Sequence, residues 1–242
     1  MDKGIGFNRT VKLTWLNAAA DLRSQMDDPA TLRQGLEEVL LPEMRGVEAR
    51  RKTIDQMVNI WMKSAEVSPS LYGRAIELLP EVSEPHRIWL HYGLALLYYP
   101  YFRQCTALIG QLARVRDTFT RQMVKDRLAA GNLGQLGSIG RTSDHLMASL
   151  LDWGVLVQQA RNEYRAEVSK LAIDHVGVQG WLLACALFSN PAHELPFADL
   201  LNLPELFPFR IAVSLDDLRQ QQLFVIQNQG GWMMVRLAET RV

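Results

Sequence analysis

The stretch IGRTSDHLMASLLDWGVLV, residues 139–157, carries the polar side chains best spaced for recognition chemistry. Wound at about 100° per residue, it sets Leu146, Met147, Leu150, Leu151 and Gly154 on one face. Arg141, His145, Ser149 and Asp152 take the other. A helix that reads DNA needs this division: one stripe packs on the preceding helix, and short polar side chains near the N-terminal end meet base edges. Arg141 and Thr142 stand at that end, where free N–H groups and the helix dipole also favour a phosphate. Any surface helix of an all-α domain shows the same two faces, and Asp152 would repel phosphate.

A second basic element lies in EMRGVEARRKTIDQMVNIWMK. Opposite Ile54 and Trp61 the pattern places Lys52, Gln56, Asn59 and Lys63, with Arg45, Arg50 and Arg51 alongside. Lysines and arginines interleaved with amides suit phosphate contacts that position a duplex without reading it. A plain solvated face fits the same residues. Bases also gather in the middle of the chain, Arg121 and Lys125 among them. Residues 101–170 hold ten bases against six acids, net +4, and residues 171–242 hold four against seven, net −3. The formal charge of the whole chain is zero, which argues against indiscriminate nucleic-acid binding.

Other chemistry finds little support. GNLGQLGSIG has glycines for a phosphate cradle but no GK[ST], and its GQLG is a weak likeness to the GxxG clamp of KH domains. The histidines are scattered, and HELPF lacks the second histidine of a zinc-protease helix, so neither metal nor cofactor is expected. GSIG is not a nucleophile elbow. Asp216 and Asp217 fit the first turn of a helix without a catalytic role. An enzyme is not expected.

Composition bounds the fold. With 48% hydrophobic and 21% charged residues, the chain has the balance of a packed protein. Cys105 and Cys185 form no CxxC pair and read as buried thiols of a reducing compartment, the cytoplasm. The N-terminus shows no signal peptide. IWLHYGLALLYYPYF falls short of the roughly 20 residues of a membrane span and reads as a core helix.

Capping signals punctuate the first hundred residues. DDPATLRQGLEEVLLP offers Asp28 as N-cap and Pro29 at the first helical position. SPSLYGRAIELLP and SEPHRIWLHYGLALLYYP open with serine and close with proline. Thr120 caps a helix over 121–130, glycines 131, 134, 137 and 140 space a connection longer than a standard turn, and a helix runs from Thr142 towards Gly154. WGVLV can enter a strand. GVQGWLLACALF is a buried helix, SLDDLRQQQ a capped one, and LFVIQNQGGWMMVRL a hairpin about its glycines. The fold expected is mostly α: a helical domain (1–100), a winged-helix-like domain (101–170), and a second one ending in a β-hairpin (171–242).

Two of these stretches, EARRKTIDQMVNIW and RTSDHLMASLLDWGVLV, resemble the BrxA-like helical components of BREX phage-defence systems. The likeness spans residues 30–157, with 158–242 as an additional tail. It implies a non-enzymatic DNA-binding accessory protein, and carries over to Arg50, Arg51, Lys52, Arg141 and Thr142. The reading is therefore duplex DNA binding, through Arg50, Arg51, Lys52, Lys63, Arg121, Lys125, Arg141, Thr142, His145 and Ser149. Defence-system proteins are further partners, and a homo-oligomer is compatible. The alternative is a scaffold subunit whose winged helices hold a partner enzyme.

Overall fold

Local caps start the helices where the sequence places them. A computed structural model describes residues 7–130, 139–166 and 171–238. The first hundred residues form α1 (Leu13–Gln25), α2 (Pro29–Leu40), α3 (Val47–Val58), a π turn (Asn59–Lys63), α4 (Ser64–Val67), α5 (Pro69–Leu78) and α6 (Ile88–Tyr98). Asp28 accepts the Thr31 N–H at 2.8 Å, with Pro29 in the first turn of α2. Ser68 does the same for Leu71 ahead of Pro69. Each cap satisfies one of the donors that a helix start leaves open.

The remainder repeats one order of elements. α7 (Pro100–Val115), β1 (Phe119–Thr120), α8 (Arg121–Ala130), α9 (Ile139–Asp152), β2 (Leu156–Ala160) and β3 (Glu163–Ala166) come first. Their antiparallel sheet has the order β1-β3-β2. α10 (Val176–Phe188), β4 (Glu194–Pro196), α11 (Phe197–Leu201), a 3-10 turn (Pro204–Leu206), α12 (Leu215–Gln220), β5 (Phe224–Gln229) and β6 (Trp232–Leu237) follow, with the order β4-β6-β5. Gly154 ends α9 at φ +69°, and Gly230 and Gly231 take positive φ in the last hairpin. α9 starts at Ile139, three residues before Thr142. Gly131, Gly134 and Gly137 of the expected connection, and the GQLG clamp with them, lie outside the described residues.

The described residues are mostly helical, with two small antiparallel sheets. One buried apolar cluster draws on all three sequence regions, from Phe7 to Val235. α6, buried from Ile88 to Leu97, packs on α10, buried from Val178 to Leu187. Among the described residues no helix is long and apolar enough to cross a membrane. Two glycines set the close approaches. A Cβ at Gly93 would meet the Trp181 ring, and one at Gly110 would run into the Pro204 carbonyl of the 3-10 turn. Trp181 donates its indole N–H to the Leu71 carbonyl at 2.8 Å, so its ring has no freedom to yield.

His91 is fully buried at the centre of the helical half. Trp61, held on the π turn, donates to His91 Nδ1 at 3.1 Å. That contact assigns the proton to Nε2, which donates to Asn17 Oδ1 at 2.8 Å, and Asn17 in turn donates to Glu84 at 3.2 Å. Burial, with the nearby Arg87 charge adding to it, pushes the imidazole pKa down to about 3. The chain thus fixes a neutral tautomer and ties α1, the π turn and α6 together.

Two expectations follow. Gly110→Ala should destabilise by about 3 kcal/mol, the upper end for overpacking, because a backbone carbonyl stands in the way. The urea midpoint should fall with unchanged slope, and a shift within error would show that α7 and the turn separate easily. For His91, the folded state takes up its proton later than the unfolded one, so stability falls as pH drops from 6.5 towards 3. Between pH 6.5 and 4.5 the loss from this group should be about 2 kcal/mol. His91→Gln, which can keep both hydrogen bonds, should show a pH dependence flatter by that amount. Parallel curves would remove His91 from the acid response.

Candidate nucleic-acid interface

On α9 the apolar stripe is where the sequence puts it: Leu146, Met147 and Leu150 are buried. The polar stripe has a different partner from the one expected. The extended segment before α1 lies along it. Thr10 Oγ1 meets His145 Nδ1 at 3.1 Å, Ser149 Oγ accepts the Val11 N–H at 2.8 Å, and Asp152 Oδ1 accepts the Leu13 N–H at 2.6 Å. Trp153, the next residue, donates its indole N–H to the Val11 carbonyl at 2.9 Å. Spacings of four and three residues line these groups along one face, matching the rise of an extended chain beside a helix. Phe7 begins the segment, buried at φ +69° among Tyr99, Phe102 and Trp153.

Two candidates on α9 are thereby corrected, and a third is partly covered. Ser149 is fully buried, and its hydroxyl also donates to the His145 carbonyl at 3.1 Å. Thr142 is buried as well, so neither side chain can reach a base edge. His145 is half-buried against Thr10, and burial, then the Arg9 and Arg141 charges, lower its pKa. Arg141 is exposed, with no ion-pair partner among the described residues.

The α3 reading changes more. Arg50 is 5% exposed; it pairs with Glu37 and donates to the Met44 and Arg45 carbonyls at 2.6 and 3.2 Å. Its guanidinium closes the loop after α2, so it makes no phosphate contact. Arg51 is exposed but pairs with Glu48 at 2.9 Å and Asp55 at 3.3 Å, and Lys52 pairs with Glu48 at 3.0 Å. Hydrogen bonds from Arg51 and then Lys52 bring the Glu48 pKa down to about 2. Arg33 also reaches Asp55. Gln56, expected outside, is buried and donates to the Arg9 carbonyl at 3.3 Å, while Asn59 donates to Tyr99 Oη at 3.0 Å. This face of α3 is neutralised and partly covered. Lys63 is half-buried on the π turn with no ion-pair partner among the described residues.

On α8, Arg121 and Lys125 share Asp144 at 4.0 and 2.8 Å, and the Arg121 guanidinium lies 5.2 Å from the Tyr164 ring centroid. The structure brings together Arg121, Lys125 and α9. The α3 bases Arg50, Arg51 and Lys52 are held instead by Glu37, Glu48 and Asp55. Exposed arginines without a carboxylate partner among the described residues are Arg127 at the end of α8, Arg141, and Arg161 in the β2–β3 turn, together with Arg45 after α2, Arg114 and Arg116 at the end of α7, and Arg210 before α12; Arg114 donates instead to the Asn202 carbonyl. Sequence reasoning had counted Arg127 and Arg161 only as charge. Their signal was position, beside a glycine-rich connection and at a hairpin tip.

An open groove of about 870 Å³ is lined by Arg74, Glu77, Phe188, Gln221, Leu223 and Leu237, and Arg74 pairs with Glu77 at 2.8 Å. It contains none of the candidates. Among the described residues no three His, Cys, Asp or Glu could hold a metal. Burial raises the Cys105 thiol to about 12 and Cys185 well above its ordinary value, leaving both unreactive. Comparison with protein-family models, curated proteins and solved structures returns no match.

If the polar stripe of α9 holds the chain's own N-terminal segment, Ser149→Ala should cost about 1–3 kcal/mol by leaving the Val11 N–H unpaired. Limited proteolysis should then cut near residues 8–12 faster than in the parent protein. A change within about 0.5 kcal/mol would mark an ordinary surface position and return Ser149 to the candidate interface.

Proposed function

We propose that this chain is a non-enzymatic accessory protein that binds duplex DNA through the first of two winged helix-turn-helix modules, in the cytoplasm and in company with phage-defence proteins. The observation that carries the proposal is the twice-repeated order of helix, strand, two helices and hairpin, with the first strand pairing to the last. That is the order in which a winged helix delivers a recognition helix followed by a wing. Chemistry favours the first module. Arg127, Arg141 and Arg161 stand on the end of one helix, the start of the next and the tip of the hairpin, free of carboxylate partners among the described residues. The second module opens its last helix with Asp216 and Asp217, which oppose phosphate. The resemblance to BREX components supports the same role. Buried, unreactive thiols fit a reducing compartment.

The interface differs from the sequence expectation in its residues. Arg50, Thr142 and Ser149 are structural, and Arg51 and Lys52 are ion-paired. Phosphate contacts pass to Arg127, Arg141 and Arg161, with Arg121 and Lys125 adding charge behind them. A scaffold role is the second reading, favoured by the neutral net charge and by the occupied polar face of α9.

Fluorescence anisotropy with a labelled duplex across a salt series tests the assignment. Affinity should fall steeply with salt. Arg127→Ala, Arg141→Ala and Arg161→Ala combined should flatten the log–log slope by roughly 0.9 per lost contact. Arg51→Ala with Lys52→Ala should leave that slope unchanged. No binding even at low salt would sink the DNA reading in favour of the scaffold one.

A further inference from the structure

Edge strands expose unpaired backbone groups, and soluble proteins blunt them with charges, prolines, bulges or short length. Among the described residues three of the four sheet edges are blunted. β1 has two residues, and β2 has an irregularity between Gln158 and Ala160 and runs into Arg161. β4 has three residues, beginning at Glu194 and ending at Pro196. β5, the outer strand of β4-β6-β5, is different. Its six residues, FVIQNQ, contain no charge and no proline, and its pairing to β6 is regular throughout. No charged residue occurs from Gln220 to Val235.

We propose that β5 pairs antiparallel with β5 of a second copy of this chain, giving a two-fold dimer with one continuous sheet. Backbone geometry fixes the register. Gln229 pairs with Trp232 across the two-residue turn, and the Ala238 N–H donates to the Leu223 carbonyl at 2.9 Å. Odd-numbered residues of β5 therefore bond to β6, and Phe224, Ile226 and Asn228 turn their N–H and C=O groups to the free edge. Among the described residues no backbone hydrogen bond outside the hairpin reaches these groups.

A two-fold axis makes one residue meet its own copy, so a charge there would oppose itself. Centred on the outward groups, that residue is Ile226. It is apolar and packs on the core. Phe224 then faces Asn228 of the second copy and Val225 faces Gln227, so no like charges are opposed. Three outward-facing pairs exchange six hydrogen bonds along a strand about 20 Å long. Such an edge lies at the small end of specific interfaces, so the dimer should be weak and concentration-dependent. The chain's zero formal charge imposes little repulsion between copies. Trp232, 64% exposed beside Gln229 at the hairpin tip, adds apolar surface to the same end of the sheet.

Sedimentation equilibrium of the full chain from roughly 1 µM to 1 mM tests this, the range in which a weak dimer forms. The mass should rise from the monomer's 27.5 kDa towards twice that value. Val225 and Gln227 stand on the sheet face opposite the core residues Phe224 and Ile226, so charges there leave the fold intact. Val225→Glu with Gln227→Glu places two like-charged pairs across the axis. Val225→Glu with Gln227→Lys places two opposite-charged pairs there. The first variant should dimerise roughly tenfold more weakly than the second. A monomer at every concentration overturns the proposal, as does equal association of the two variants. Growth beyond a dimer also overturns it, because the two-fold pairing closes.

Discussion

An extended chain buried against helices has no partner of its own for its backbone N–H groups, and leaving them unpaired is costly. The segment from Phe7 to Leu13 meets that constraint by borrowing side chains from α9. Much of the structure depends on the arrangement. α1 is launched from this segment, so its angle to α2 and α3 follows from where Val11 and Leu13 are held. Gln56 of α3 reaches the Arg9 carbonyl from the other side, and the Phe7 ring fills the space between α7 and the end of α9. Residues 7–13 are thereby clamped to the first repeated unit as well as to α3.

The two repeated units are joined with similar economy. α7 lies on the 3-10 turn of the second unit, where Gly110 admits the Pro204 carbonyl. Beside it Tyr92 donates to the Glu205 carbonyl at 2.7 Å. Glu205 is 2% exposed, and burial raises its pKa against the pull of Arg103, 3.5 Å away. A buried ion pair adds little net stability, since desolvation offsets most of the attraction. It does penalise any alternative docking that separates Arg103 from Glu205. Register between the units is therefore held by steric fit and by this penalty together.

Much of this was legible in the sequence, and the divide is physical. Asp28–Pro29, Ser68–Pro69 and Ser214 act within one helical turn, so a linear reading finds them. Gly154 and the pair Gly230–Gly231 announce positive φ for the same local reason. The apolar stripe of α9 was legible because helical periodicity reports which face is buried. Its polar stripe was not, because an extended partner has no periodicity and lies well over a hundred residues away. Arg50 misleads for a related reason: beside Arg51 and Lys52 it reads as one of three bases, while its carboxylate, Glu37, belongs to another helix. The π turn at Asn59–Lys63 has no capping residue to mark it, yet it decides that Trp61 meets His91.

Arginine placement explains why part of the chain's regional basic surplus is not free. A guanidinium offers five donors in a rigid plane, which suits it to closing loops as well as to holding phosphate. Arg23 binds Tyr72 Oη at 2.7 Å and Asp27 at 2.6 Å, Arg87 binds Asp21 at 2.7 Å, and Arg114 donates to the Asn202 carbonyl. These ties hold α1 against α5 and α6, and α7 against the second unit. Once such bases are set aside, Arg127, Arg141 and Arg161 remain at the α8–α9 end and the hairpin of the first unit, with Arg45, Lys63, Arg116 and Arg210 unpaired elsewhere among the described residues. The second unit repeats the same order of elements with Asp216 and Asp217 on its short last helix and a hairpin whose single charge is Arg236. One plan of folding thus carries two different sets of charges, and the difference rests on surface residues.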